Sequence, residues 1–382
     1  MQSWLGRLSA ITVTSAAAAL CGCATPTSSP PAGTEPSPRR APRLYPFDVG
    51  GGRPPELSLF GDAPEMEGIP FQSRLITNVQ QHTFTAEGLD FDPDVTKDGS
   101  LLVFASTRNA EHPDIYLKKP EGTALTQLTG DPADDVQPRF SPDGQRVAFC
   151  SNRTGNWDIW VVQRDGNGLT QLTRSRADEM APAWSPDGQQ IAYTVWGYRS
   201  HQWEIWTLAV DRPGIQRFLV YGMFPAWSPD GKRLAFQRAR QRGSQWFSIW
   251  TVDLVEDEAR HPTEVARSES AACIAPCWTP DGSGIVYCTV RADERPGPFE
   301  PQEPQADLWV VNLANGVAMK LTDGSATAFN PVCSADGRVY YVSARAGTEN
   351  IWSLDANAQL SLLTSRSLGE TASAKQHGGQ NE

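Results

Sequence analysis

From about residue 74 to residue 365 the chain consists of short runs in which apolar and polar residues alternate, the period-two pattern of strands. One set follows Asp-Gly pairs: Arg146-Val147-Ala148-Phe149-Cys150, Arg233-Leu234-Ala235-Phe236 and Arg338-Val339-Tyr340-Tyr341-Val342. A second set places an aromatic two residues after a polar residue, in Asp114-Ile115-Tyr116, Asp158-Ile159-Trp160, Glu204-Ile205-Trp206, Ser248-Ile249-Trp250, Asp307-Leu308-Trp309 and Asn350-Ile351-Trp352. Shorter runs such as Leu125 to Thr129 and Leu169 to Thr173 close most units.

The pattern repeats. Asp98-Gly99, Asp143-Gly144, Asp187-Gly188, Asp230-Gly231, Asp281-Gly282 and Asp336-Gly337 are spaced by 45, 44, 43, 51 and 55 residues. The fullest copies read Pro-Ala-Trp-Ser-Pro-Asp-Gly, at Pro182 to Gly188 and Pro225 to Gly231. Serine accepts local hydrogen bonds, proline presets φ, and glycine tolerates the positive φ that ends such a turn. Four strands in each of six units predict an all-β fold, a six-bladed β-propeller of four-stranded antiparallel blades, with the recurrent aromatic in its core.

These residues resemble the WD40-like repeats of TolB-type six-bladed propellers, over about 290 residues from near Arg74 to Thr364. The resemblance implies a periplasmic propeller that docks proteins or peptides at the mouth of its channel. The α/β domain that precedes such propellers is expected to be absent, its place taken by a proline-rich segment.

Composition narrows the partners. Lys+Arg 33 against Asp+Glu 44 gives a net charge of -11, which repels a phosphate backbone, so nucleic acid is not expected as a partner. Residues 1–22 read as a lipoprotein signal peptide, with Arg7 before an apolar run from Leu8 to Leu20 too short to span a bilayer. Leu20-Cys21-Gly22-Cys23 resembles a lipobox and makes Cys23 the expected lipidation site. The expected location is the cell envelope, at an outer membrane and facing the periplasm. Residues 23–73 form a tether with nine prolines between Ala24 and Pro55, the propeller occupies 74–365, and 366–382 form a disordered tail.

Chemistry is sparse. Five histidines are scattered, no Gly-x-Ser-x-Gly elbow or His-Glu-x-x-His motif occurs, and no catalytic residue, metal or cofactor is expected. Charge does fall in register. Asp90, Asp135 and Glu179 enter the innermost strands of units one to three, and Arg108, Arg153, Arg240, Arg291 and Arg345 follow the next strands, with Gly197 in that slot in unit three. Each arginine could pair across its own hairpin, Arg153 with Asp158 for example. Alternatively, the acids could gather at the channel mouth to receive a cation or an N-terminal amine.

The proline-rich loop from Arg291 to Ala306 is expected on that face, and Cys277 is expected to pair with Cys288 across the Asp281-Gly282 turn. Arg74 to Val79 should add an outer strand beside Leu360 to Leu363. The sequence thus describes a monomeric, non-enzymatic, lipid-anchored propeller that binds a protein or peptide. A carbohydrate-binding or polysaccharide-cleaving propeller is the alternative. Cys23→Ser should abolish palmitate incorporation and accumulate the unprocessed form; full membrane association of a processed variant would remove the anchor.

Overall fold

The computed structural model describes residues 77–239, 247–291 and 305–362. The signal peptide, the tether with Cys23, Arg240, most of the loop 291–306 and the tail lie outside the described residues. The first blade contains β2 (Asp90–Val95), β3 (Leu102–Ser106), β4 (Asp114–Lys118) and β5 (Leu125–Gln127), ordered from channel to rim. The second repeats it with β6 (Asp135–Phe140), β7 (Arg146–Ser151), β8 (Asp158–Gln163) and β9 (Thr170–Gln171). Blade 3 holds β10 (Glu179–Trp184), β11 (Gln190–Gly197), β12 (Gln202–Ala209) and β13 (Arg212–Tyr221). Blade 4 holds β14 (Met223–Trp227), β15 (Arg233–Ala239), β16 (Phe247–Val255) and β17 (Glu258–Ala266). Blade 5 holds β18 (Ala272–Trp278), β19 (Gly284–Arg291), β20 (Gln305–Asn312) and β21 (Ala318–Lys320).

Blade 6 is assembled from both ends of the described chain. It has three consecutive strands, β22 (Phe329–Cys333), β23 (Arg338–Ser343) and β24 (Asn350–Asp355), and its rim strand is β1 (Thr77–Gln81). The expected N-terminal strand is therefore present, but it pairs with β24, Gln80 opposite Ser353, and not beside Leu360 to Leu363. Residues 357–362 are helical, so among the described residues the sixth unit has three strands of its own. An edge left open on β24 would expose its backbone groups, and β1 satisfies them.

The turns take the shape their residues dictate. Ser141 Oγ donates to Asp143 Oδ1 at 2.5 Å, Gly144 N donates to Ser141 O at 2.8 Å, and Gly144 has φ of 66°. Across each blade an aromatic of the second strand stands opposite one of the third: Phe104 and Tyr116, Phe149 and Trp160, Tyr193 and Trp206, Phe236 and Trp250, Tyr287 and Trp309, Tyr341 and Trp352. Such pairs fill both faces of a blade and fix its register. Phe104, Phe149 and Phe236 are wholly buried, so each contributes about 1.5–3 kcal/mol by burial.

Every innermost strand breaks register at the residue before its proline. Asp92, Gln137, Ala181, Phe224, Ala275 and Asn330 all have φ between 48° and 54°. These conformations are costly for non-glycine residues, and hydrogen bonds between blades offset the cost. Asn330 Nδ2 donates to Asp92 Oδ1, Gln137 N to Asp92 Oδ2, Ala181 N to Gln137 Oε1, Phe224 N to Thr194 Oγ1 and Ala275 N to Gln237 Oε1. A polar belt thus links blade 6 through blade 1 to blade 5.

The seam of blade 6 uses side chains as well as the ladder. Asn350 Oδ1 accepts from Thr83 Oγ1 and Thr85 N, while Thr85 Oγ1 donates to Asp90 Oδ2 at 2.6 Å. Buried His82 lies 2.7 Å from Ser353 Oγ and 3.2 Å from Pro120 O, which suits a neutral ring with the proton on Nδ1. Burial accordingly pushes its pKa down. Deleting residues 77–81 should lower the melting temperature of the whole propeller in a single cooperative transition, measured by circular dichroism. An unchanged melt would show that β1 does not close the ring.

Candidate functional site at the channel mouth

Asp90, Asp135 and Glu179 begin β2, β6 and β10, and the register puts Ser106, Ser151 and Val195 opposite them on the second strands. All three acids are buried. Arg108 Nη2 reaches both oxygens of Asp90 at 2.7 Å, and Arg153 Nη2 reaches both oxygens of Asp135 at 2.9 Å. Ser106 Oγ adds a 2.6 Å bond to Asp90, and Asp131 adds a second carboxylate to Arg153 at 2.8 Å. The arginines therefore pair with the acid of the innermost strand. Arg153 does not pair with Asp158.

Each guanidinium also lies against the recurrent aromatic: Arg108 is 5.3 Å from the Tyr116 ring centroid, Arg153 4.8 Å from Trp160 and Arg345 5.9 Å from Trp352. Trp160 and Trp352 are half-buried, so these rings serve as platforms for arginine as well as core. In blade 4 Arg238 takes this position, 5.5 Å from Trp250, while Arg240 lies outside the described residues. Arg345 bonds Asp323 and Ser325 in place of an inner-strand acid. Arg291 ends β19, exposed and opposite Gln305.

Blade 3 departs from this scheme. Gly197 occupies the arginine slot, and a Cβ there would fall 2.2 Å from Glu204 Oε1 and 2.3 Å from Ser200 Oγ, so both side chains would have to shift to admit one. Glu179 consequently has no arginine. Its Oε2 and Asp158 Oδ1, from the adjoining blade, are buried without a hydrogen-bond partner. Burial, with Asp158 adding to it, pushes the Glu179 pKa up to about 7. A proton kept on Glu179 gives it a donor where an ionised carboxylate could only accept. The blade 1–2 junction carries a related pair, where burial and then Asp135 push Asp114 up to about 6.

The inner strand of blade 1 adds groups not anticipated from the sequence. Asp92 and Asp94 flank Pro93, and burial raises both, Asp94 to about 6, against the opposing charge of Arg139. Asp94 Oδ2 accepts from Phe140 N at 2.7 Å. The corresponding positions of blade 3 are Ala181 and Ala183, so a charge on either side of the motif proline was the available signal.

Above this buried layer the mouth carries aromatics. β11 and β12 extend as a hairpin with Trp196 and Trp203 packed edge to face at 5.3 Å, and Tyr198 at its tip is 67% exposed. Phe84, in the connection from blade 6 to blade 1, is 73% exposed. A groove of about 710 Å³ lies at the opposite, turn-bearing end of blade 3, lined by Arg146, Gln190, Arg212, Ile215, Arg217 and Asp257. It contains none of the charged residues in register.

The chain matches the family described as the Tricorn protease N-terminal β-propeller domain over residues 91–246 and 156–380. A TolB homolog of Chlorobium luteolum is 33% identical over 93 residues, covering 24% of this chain and 20% of that protein. An uncharacterized protein of Agrobacterium fabrum is 32% identical over 76 residues, covering 20% of this chain and 22% of its own. The chain thus spans about a fifth of the length of these curated relatives. A solved structure from Agrobacterium tumefaciens, provisionally assigned as TolB, superimposes with a TM-score of 0.54 at 19% identity, over 72% of this chain and 95% of that one. At that identity the likeness concerns the fold alone.

The Glu179 proton makes stability depend on pH. The folded chain keeps a proton that the unfolded chain, with the ordinary glutamate value of 4.5, releases, so this site stabilises most below about pH 4.5 and loses that contribution as pH rises to about 7. The loss is on the order of 2–3 kcal/mol. Glu179→Gln, which keeps a donor toward Asp158, should therefore lose less stability than the parent between pH 5 and pH 8 in urea titrations. Identical pH dependence would place the proton elsewhere.

Proposed function

The chain belongs to the Tricorn protease N-terminal β-propeller family and is TolB-like, and on this premise we propose that it is a non-enzymatic binding module that captures a protein or peptide at its channel mouth. The observation that carries this reading is the pair of exposed aromatics on opposite sides of the ring, Phe84 at the blade 6–1 seam and Tyr198 on blade 3. Rigid aromatic side chains offer large contact area for little lost rotamer freedom, the property of binding hot spots. Both stand on fixed bases. Thr83 and Thr85 are tied to Asn350 beside Phe84, and the Trp196–Trp203 pair braces the hairpin below Tyr198.

In this reading the paired Asp90–Arg108 and Asp135–Arg153 hold the mouth loops in place, and Arg240, Arg291 and Arg345 are candidate contacts for a partner's carboxylates. Glu179, the acid without an arginine, is buried beneath the mouth, and a basic group that reached it from a bound peptide would take the place of the proton it holds. The net charge of -11 favours a partner of opposite sign by long-range attraction. The same proposal places the protein in the cell envelope, on the periplasmic side, attached to the outer membrane by lipid at Cys23.

A photoreactive residue at position 198, in the full chain expressed in its native envelope, should give a discrete protein adduct, whereas one at position 215 on the turn-bearing end should not. Phe84→Ala should weaken the adduct at 198 about tenfold, about 1.4 kcal/mol. Adducts only from position 215, or depolymerisation of an anionic polysaccharide by the purified protein, would overturn the reading.

A further inference from the structure

The motif tryptophan has a fixed task between blades. Trp184 Nε1 donates to the carbonyl of Arg139, Trp227 Nε1 to that of Ala183, and Trp278 Nε1 to that of Ala226, at 2.9–3.1 Å. In each case the acceptor is the residue after the motif proline in the preceding blade, so the indole clasps one innermost strand to the next. At the blade 5–6 junction the tryptophan position is Cys333, and the position it would clasp is Cys277. Both halves of the contact are thus replaced by cysteine at the same junction. Their sulfurs lie 3.1 Å apart, closer than two unbonded sulfurs rest without repulsion.

The other described cysteines are placed differently. Cys288 stands opposite Ile274, and Cys277 opposite Val286, so the expected Cys277–Cys288 bridge is not formed. Cys288 Sγ donates to Ala328 O and Cys150 Sγ to Gln137 Oε1, both wholly buried, and burial raises both thiols far above the usual range. Cys273 is also buried. Only Cys277 and Cys333, among the described cysteines, are half-buried, on innermost strands next to one another.

We propose that Cys277 and Cys333 form a disulfide that replaces the tryptophan clasp and locks blade 5 to blade 6. The oxidant is an external disulfide, glutathione disulfide or an oxidised dithiol protein. One cysteine thiolate attacks it, giving a mixed disulfide and one departing thiolate, and the second cysteine then displaces the remaining sulfur. The Cys277 and Cys333 sulfurs lose two electrons and two protons in all, and the oxidant leaves as two thiols. The bridge closes 56 residues of sequence separation, so it restricts the unfolded chain substantially. It is independent of what the mouth binds.

The full chain, incubated with glutathione disulfide, denatured in alkylating reagent without reductant and digested, should yield a Cys277–Cys333 cross-linked peptide lighter by two hydrogens than the two reduced peptides together. Reductant should lower the melting temperature of this protein by ~5 °C. Cys277→Ala combined with Cys333→Trp, which writes the blade 3–4 pairing into this junction, should melt at a temperature indifferent to reductant. Alkylation of both cysteines in the unreduced protein, a glutathione adduct at either one alone, or a bridge from Cys277 to Cys288 would overturn the proposal.

Discussion

A sheet with apolar side chains on both faces is stable in water only between two others, so no blade here can be the last. This requirement governs the architecture from the rim strand to the channel. It explains why β1 crosses to β24, why the aromatic pairs recur at one level in every blade, and why successive innermost strands are joined by particular bonds in addition to apolar packing. The positive-φ residue on each inner strand is the local cost of bringing six such strands around a narrow axis, and the polar belt is what makes that cost tolerable.

The repeat itself was legible because its parts are local. An Asp-Gly turn, a run before it and a run after it can be recognised within a dozen residues, and six blades follow from counting them. The seam was only half legible. Alternation identified a strand near Val79, but the partner of a strand depends on contacts more than 270 residues away, and nothing in the pattern of Leu360 to Leu363 distinguished a helical turn from an edge strand.

At the mouth, the register of acids and arginines was readable and their pairing was not. Ser151 stands opposite both Asp135 on one side and Asp158 on the other, so an arginine two residues beyond it can turn either way. The choice falls to Asp135, whose buried oxygens accept a bidentate guanidinium that also rests on Trp160. Gly197 was visible as a gap in the arginine series, yet its consequence, a buried Glu179 without an arginine and beside Asp158, required the adjoining blade. The cysteine pairing was hidden for the same reason, since Cys277 and Cys333 meet between repeats and not within one hairpin.

The rim strand drawn from the far end of the chain also bears on how the molecule acquires its shape. Blades 1 to 5 each draw their four strands from consecutive segments, whereas the sixth needs Thr77–Gln81 to find Asn350–Asp355 across nearly the whole described sequence. Closing a loop of that length costs conformational entropy before any contact repays it, so the contact order of the fold is concentrated in one ladder. On that ground the ladder is expected to form late in folding, and until it forms the last blade presents an unpaired edge to other chains.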